Sequence, residues 1–114
     1  MLIYQTITVD GDLGQLGALL CCPRCGDGNL HHGRVIVFDR LGEDGERTDV
    51  TTVYDGLTAT HRLASCEVDN PSGRRGGLVI EFSCECCGDR PLELRIAQHK
   101  GNTFVAWRFD PRVD

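Results

Sequence analysis

The chain is poor in the residues from which a large, self-sufficient core is built. Only 6% of its 114 residues are aromatic, with a single Trp and a single Met. A core of that kind is thin, and a small domain with a thin core usually needs a cross-link. Long apolar runs are also missing. The longest, Ala18-Leu19-Leu20-Cys21-Cys22, falls far short of the about 20 residues a membrane-spanning helix requires. Cationic charge is scarce: the net charge is −5, which excludes a general nucleic-acid coat, because neutralising phosphates takes excess cation. Lys100 is the one lysine among twelve basic residues. There are no heptads, internal repeats or low-complexity tracts. No G-x-S-x-G, P-loop or H-E-x-x-H motif is present, so the common signatures of acyl transfer, nucleotide binding and zinc proteolysis are missing. The opening Met1-Leu2-Ile3-Tyr4-Gln5-Thr6 has neither the basic start nor the apolar run of a secretory leader. A cytoplasmic setting with reduced thiols is the expectation.

What the chain does have is glycine (14) and cysteine (7). Five of the cysteines fall in two matching units, Cys22-Pro23-Arg24-Cys25-Gly26 and Cys84-Glu85-Cys86-Cys87-Gly88, four of them at the C-x-x-C positions. Each is C-x-x-C-G. A tight turn between the cysteines puts two thiolates on one side, and the Gly accepts the positive φ that closes the turn. Two such knuckles supply four sulfurs, a closed tetrahedral set that suits Zn²⁺. Cys22, Cys25, Cys84 and Cys87 are therefore expected to hold one structural zinc ion. Between Cys25 and Cys84 lie 58 residues. Closing a loop of that length costs about 4 kcal/mol of chain entropy. Structural zinc contributes about 10–16 kcal/mol in small peptides, so the metal outweighs the closure.

The pattern of the rest is β. Leu2 to Val9 reads as a strand, and Leu13 to Leu20 as a short helical turn feeding the first knuckle. Arg34 to Arg40 is apolar on both faces, as in a central strand. Thr48 to Tyr54 returns from it across a charged tip, and Asp55-Gly56 is a second turn. Leu57 to Val68 is read as strand. Asp69 to Gly77 is an expected exposed, mobile loop. Leu78 to Cys84 then delivers the second knuckle. Leu92 to Ile96 and Val105 to Phe109 alternate strictly and form a hairpin. A turn centred on Lys100-Gly101 pairs Leu92 with Phe109, Leu94 with Trp107 and Ile96 with Val105. It also opposes Glu93 to Arg108, whereas a Gly101-Asn102 turn would oppose Arg95 to Arg108. Unlike charges across a pair are favourable and like charges are not.

The paired knuckles resemble the zinc-ribbon superfamily. More loosely, the whole chain is similar to small zinc-ribbon proteins of actinobacteria and their phages. The resemblance implies one all-β domain over residues 1–114, a zinc-ribbon-like antiparallel sheet expanded by a strand-rich insertion between the knuckles. It does not choose a function, since zinc ribbons serve in many assemblies.

A redox reading of Cys22-Pro23-Arg24-Cys25 requires a following helix, and Gly26-Asp27-Gly28-Asn29 breaks one. Cys21 and Cys86 lie next to the ligands, and a redox pair is the alternative to the simpler role of small apolar filler, which is also the reading for Cys66. A zinc-stapled HNH nuclease would place its catalytic residues among His31, His32, His61 and Asn70, but no His follows Asn70 before Cys84. A four-thiolate zinc also leaves no position for water. The expectation is a non-enzyme with no small-molecule substrate, binding a protein partner or its own copy. The alternative is a DNA- or RNA-binding ribbon that uses the C-terminal hairpin through Arg95, Lys100, Phe104 and Arg108, with His99 beside them and Arg74 and Arg75 in a neighbouring loop. Arg beside an aromatic ring suits base stacking.

Overall fold

The computed structural model describes residues 2–11, 14–41, 48–64, 69–73 and 75–111. Within these the chain is all-β. Its strands are β1 (Ile3–Gln5), β2 (Val9–Asp10), β3 (Leu19–Leu20), β4 (Leu30–Leu41), β5 (Thr48–Asp55), β6 (Thr58–Ala64), β7 (Gly77–Cys84), β8 (Gly88–His99) and β9 (Asn102–Phe109), with a 3-10 turn at Gly14–Leu16. Seven strands form one antiparallel sheet in the order β1-β9-β8-β7-β4-β5-β6, and β2 pairs with β3 in a small second sheet.

The strictly alternating segments form the β8–β9 hairpin in the register their charges favour. Leu92 lies opposite Phe109, Glu93 opposite Arg108, Leu94 opposite Trp107 and Ile96 opposite Val105. The turn is Lys100-Gly101, with φ of 51° and 82°. Positive φ at both central residues is the twist that continues into right-handed strands. Gly56, at φ 62°, turns β5 into β6 with Asp55 opposite Thr58.

The register fixes which side chains share a face. One face carries Val105 and Trp107, Leu94 and Ile96, Leu78 and Ile80, Val35 and Val37, and Val50, Thr52 and Tyr54. The other carries Arg34 paired with Glu81 (2.7 Å) and Glu93 with Arg108 (2.6 Å) and Arg95 (3.3 Å), together with the buried Phe38 and Val79. The main core cluster sits on the first face, at one end. It joins Cys22, Cys84, Leu92, Trp107 and Phe109, with Ile3, Ile7, Leu20, Leu30 and Phe82 packed around them. Trp107 is fully buried, edge-on to Phe82 at 5.6 Å. Further along the same face Val35, Val37, Val50, Leu78, Ile80 and Ile96 are only partly covered.

Two expectations change, and the strand read over 57–68 holds over 58–64. The strand expected over residues 2–9 is broken: Ile3–Gln5 joins the large sheet and Val9–Asp10 the small one. The break lets Ile7 turn into the core, and Thr8 accepts a hydrogen bond from the Cys21 amide at 3.2 Å. The 58–64 part of the ambiguous stretch is strand, whereas Cys66 and Val68 lie outside the described residues. The loop expected over 69–77 is exposed only in part: among its described residues Asp69, Gly73 and Arg75 are exposed, and the others are half-buried or buried. Ser72 is 5% exposed; its hydroxyl accepts from the Gln98 amide (2.8 Å) and donates to the Gly76 carbonyl (2.6 Å). Asn70 accepts from the Ser72 amide at 2.9 Å. Polar turn residues that satisfy one another can be buried against a sheet as well as left in water.

Candidate metal centre

Both knuckles close as their sequence dictates. In the first, the Cys22 amide donates to the Asp27 carbonyl and the Gly26 amide to the Cys22 carbonyl, each at 2.8 Å. Gly26 sits at φ 81°. The Arg24 amide points at the Cys22 sulfur, 3.4 Å away. Asp27 caps the exit by accepting from the Asn29 amide at 3.2 Å. In the second, β7 ends at Cys84 and β8 begins at Gly88, which lies opposite Cys84 at φ 76°. The sheet then brings the knuckles together. Leu30, just after the first, pairs with Cys84 of the second, and the Glu85 amide donates to the Asn29 carbonyl at 3.1 Å.

The result is that the Sγ atoms of Cys22, Cys25, Cys84 and Cys87 all lie within 4.8 Å of one another and could hold a metal ion. The Cys22–Cys87 and Cys25–Cys84 separations are 3.9 and 3.6 Å. These are too long for a disulfide bond. They bracket the spacing of about 3.8 Å that four sulfurs take when each sits about 2.3 Å from a central ion. Cys22 and Cys84 are each 2% exposed, while Cys25 is exposed. One side of the site is therefore part of the hydrophobic core and the other faces solvent.

The thiols differ in acidity for physical reasons. Burial pushes the Cys22 thiol up despite the backbone N–H groups aimed at it. Burial and the neighbouring thiols raise Cys87 to about 12. The Asp27 N–H lowers Cys25 to about 7. Four sulfurs this close cannot all carry charge without a cation among them, so the site is chemically suited to a metal.

Arg24, inside the first knuckle, has a role that the sequence reading missed. Its guanidinium donates to the Asp110 carbonyl (3.1 Å) and the Pro91 carbonyl (2.6 Å), and lies 5.3 Å from the centre of the Phe109 ring. It ties the knuckle to the entry of β8 and the exit of β9. Nothing in a lone Arg between two cysteines signals this.

The residues of the nucleic-acid alternative are not one exposed basic face. Arg95 is buried, 6% exposed, and donates to the Asp69 carbonyl and to Glu93. Arg108 is engaged by the same Glu93. The cause is the 69–73 segment, half-buried around Ser72, whose Asp69 carbonyl accepts from Arg95 where solvent was expected. Lys100 is exposed at the turn, and Phe104 is 53% exposed with its ring 6.4 Å from that of His99. Arg75 is exposed, and Arg74 lies outside the described residues. His31 and His32 start β4 in solvent, His31 bonded to Glu85 at 2.7 Å. His61, on β6, bonds the Thr52 hydroxyl at 2.9 Å, and Asn70 lies in the segment between β6 and β7. Cys21 is buried and Cys86 exposed, and no disulfide joins them.

No family model, no curated protein and no solved structure matches the chain.

Proposed function

We propose that this chain is a non-catalytic binding module whose four cysteines hold one structural zinc ion, and that it acts as an adaptor by docking a protein. The four-sulfur cluster carries the first half: a closed, half-buried set of four thiolates offers a metal no open position for substrate, and Zn²⁺ is the ion such a set suits. The resemblance to zinc ribbons rests on the same two knuckles. The partly covered apolar residues Val35, Val37, Val50, Leu78, Ile80 and Ile96 support the second half. The sheet is apolar on one face, covered only near the metal end, and an apolar sheet face is stable when something lies on it. The nucleic-acid alternative is less well supported, because Glu93 compensates both Arg95 and Arg108.

The test has two arms. Metal-free protein titrated with Zn²⁺ should take up one ion per chain, and Cys22→Ser or Cys84→Ser should abolish uptake. Val37→Glu with Ile80→Glu should leave zinc and fold intact and eliminate capture of an identified protein partner. Retention on heparin that is lost on charge reversal of Lys100 would instead favour the nucleic-acid alternative.

A further inference from the structure

The two edges of the large sheet are unequal. β1 is three residues long, and short edge strands protect a sheet against unwanted pairing. β6 is seven residues long, Thr58-Ala59-Thr60-His61-Arg62-Leu63-Ala64, and among the described residues pairs with β5 alone. Thr58 to Leu63 are all exposed. β6 contains no Pro and no Lys, and its pairing with β5 has no bulge. Apart from the charge of Arg62, the devices that usually blunt an edge are missing from it.

The hairpin fixes which backbone groups of β6 point outward. The two-residue loop Gly56-Leu57 closes on Asp55 and Thr58, and such loops close on a pair that exchanges hydrogen bonds. Bonded and non-bonded pairs then alternate. Thr58, Thr60 and Arg62 bond inward to Asp55, Val53 and Thr51. The N–H and C=O groups of Ala59, His61 and Leu63 are left facing away from the sheet.

Resting on the protein-binding reading above, we infer that the partner at this edge is a second copy of the chain, joined β6 to β6 about a two-fold axis through His61. In that register Ala59 faces Leu63 of the second copy and His61 faces its own counterpart. Each of these pairs exchanges two hydrogen bonds. Arg62 falls opposite Thr60, so no two guanidinium groups oppose each other. The side chains are complementary as well. Leu63 is 71% exposed and Tyr54 47% exposed. Tyr54 sits beside Ala59 on the apolar face, and Leu63 of the second copy arrives on the other side of that small residue. The two large apolar groups meet over the alanine methyl. The interface is isologous and closes as a dimer, leaving β1 as the outer edge on each side.

The test is sedimentation together with amide hydrogen exchange on the zinc-loaded protein across a concentration series. The wild type should pass from monomer to dimer. The amides of Ala59, His61 and Leu63 should become protected only as dimer forms, whereas those of Thr60 and Arg62 are protected throughout. His61→Lys sets two ammonium groups face to face and should weaken the dimer about tenfold or more. His61→Pro removes an outward N–H, which edge strands tolerate, together with the side-chain bond to the Thr52 hydroxyl, and should also give monomer while keeping zinc, at a modestly lower melting temperature. A wild type that stays monomeric at millimolar concentration, or a dimer that survives both variants or protects other amides, overturns the proposal. Neither result bears on zinc uptake or on partner capture by the open face, which fail separately.

Discussion

Arg24→Ala removes two bonds from a guanidinium to backbone carbonyls and the contact with the Phe109 ring. Bonds of that kind are worth about 1.5–3 kcal/mol each at most, and part of this is exposed. A loss of about 2 kcal/mol is expected, measured by denaturant unfolding of the zinc-loaded protein; a change below about 0.5 kcal/mol would mean that the clamp contributes nothing. The cysteines divide just as sharply. Cys25→Ser should cost metal binding, while Cys86→Ser, one residue from Cys87 but outside the four-sulfur set, should leave zinc stoichiometry unchanged by elemental analysis. The candidate ligands were legible in sequence because C-x-x-C-G is a local instruction: spacing and a trailing Gly specify the turn. Arg24 was illegible because its acceptors lie 67 and 86 residues along the chain. For the same reason the burial of Arg95 could not be read. It depends on Asp69, 26 residues away, in a segment whose Asn, Pro, Ser and Gly describe turns equally well in water or against a sheet.

Among the elements, the β8–β9 hairpin places Lys100 at φ 51°, a conformation that favours Asn or Gly. Lys100→Asn creates the Asn-Gly pair preferred in such turns and should raise stability by up to about 1 kcal/mol, read as a higher melting temperature; a lower one would argue against this turn geometry. The Arg34–Glu81 pair between β4 and β7 gives a pH prediction. The Arg34 bond holds the Glu81 carboxyl below its ordinary value. Its contribution is therefore fully present above the ordinary Glu range and is lost as pH falls through the lowered value. Glu81→Gln should flatten the acid limb of the stability curve and change little at pH 7, since a partly exposed pair is worth about 1 kcal/mol or less. The hairpin register was legible because one choice opposed Glu93 to Arg108 and the other opposed two arginines. The break between β1 and β2 was not. Residues 2–9 have the composition of one strand, and only the demand of the core for Ile7 divides them.

For the molecule as a whole, an all-β chain was legible from alternation, from the turns and from the absence of helical periodicity. The sheet order was not, because β7 lies between β4 and β8 and sequence patterns do not record which distant strands pair. The proposed zinc explains how so thin a core holds. Trp107 packs with Cys22 and Cys84, so stripping the metal should shift its emission to the red as the core loosens. Binding should also depend steeply on pH. The Cys22 and Cys87 thiols both lie above their ordinary value and must lose protons to bind zinc. Apparent affinity should therefore fall by about a hundredfold or more per pH unit from 8 to 6, as at least two protons are displaced per ion. The account is tested most directly by X-ray absorption at the zinc edge on protein purified from zinc-supplied cells, with elemental analysis of the same sample. One zinc per chain, surrounded by four sulfurs at about 2.3 Å, is the predicted result. Protein without metal, or a zinc shell containing nitrogen or oxygen, would contradict it.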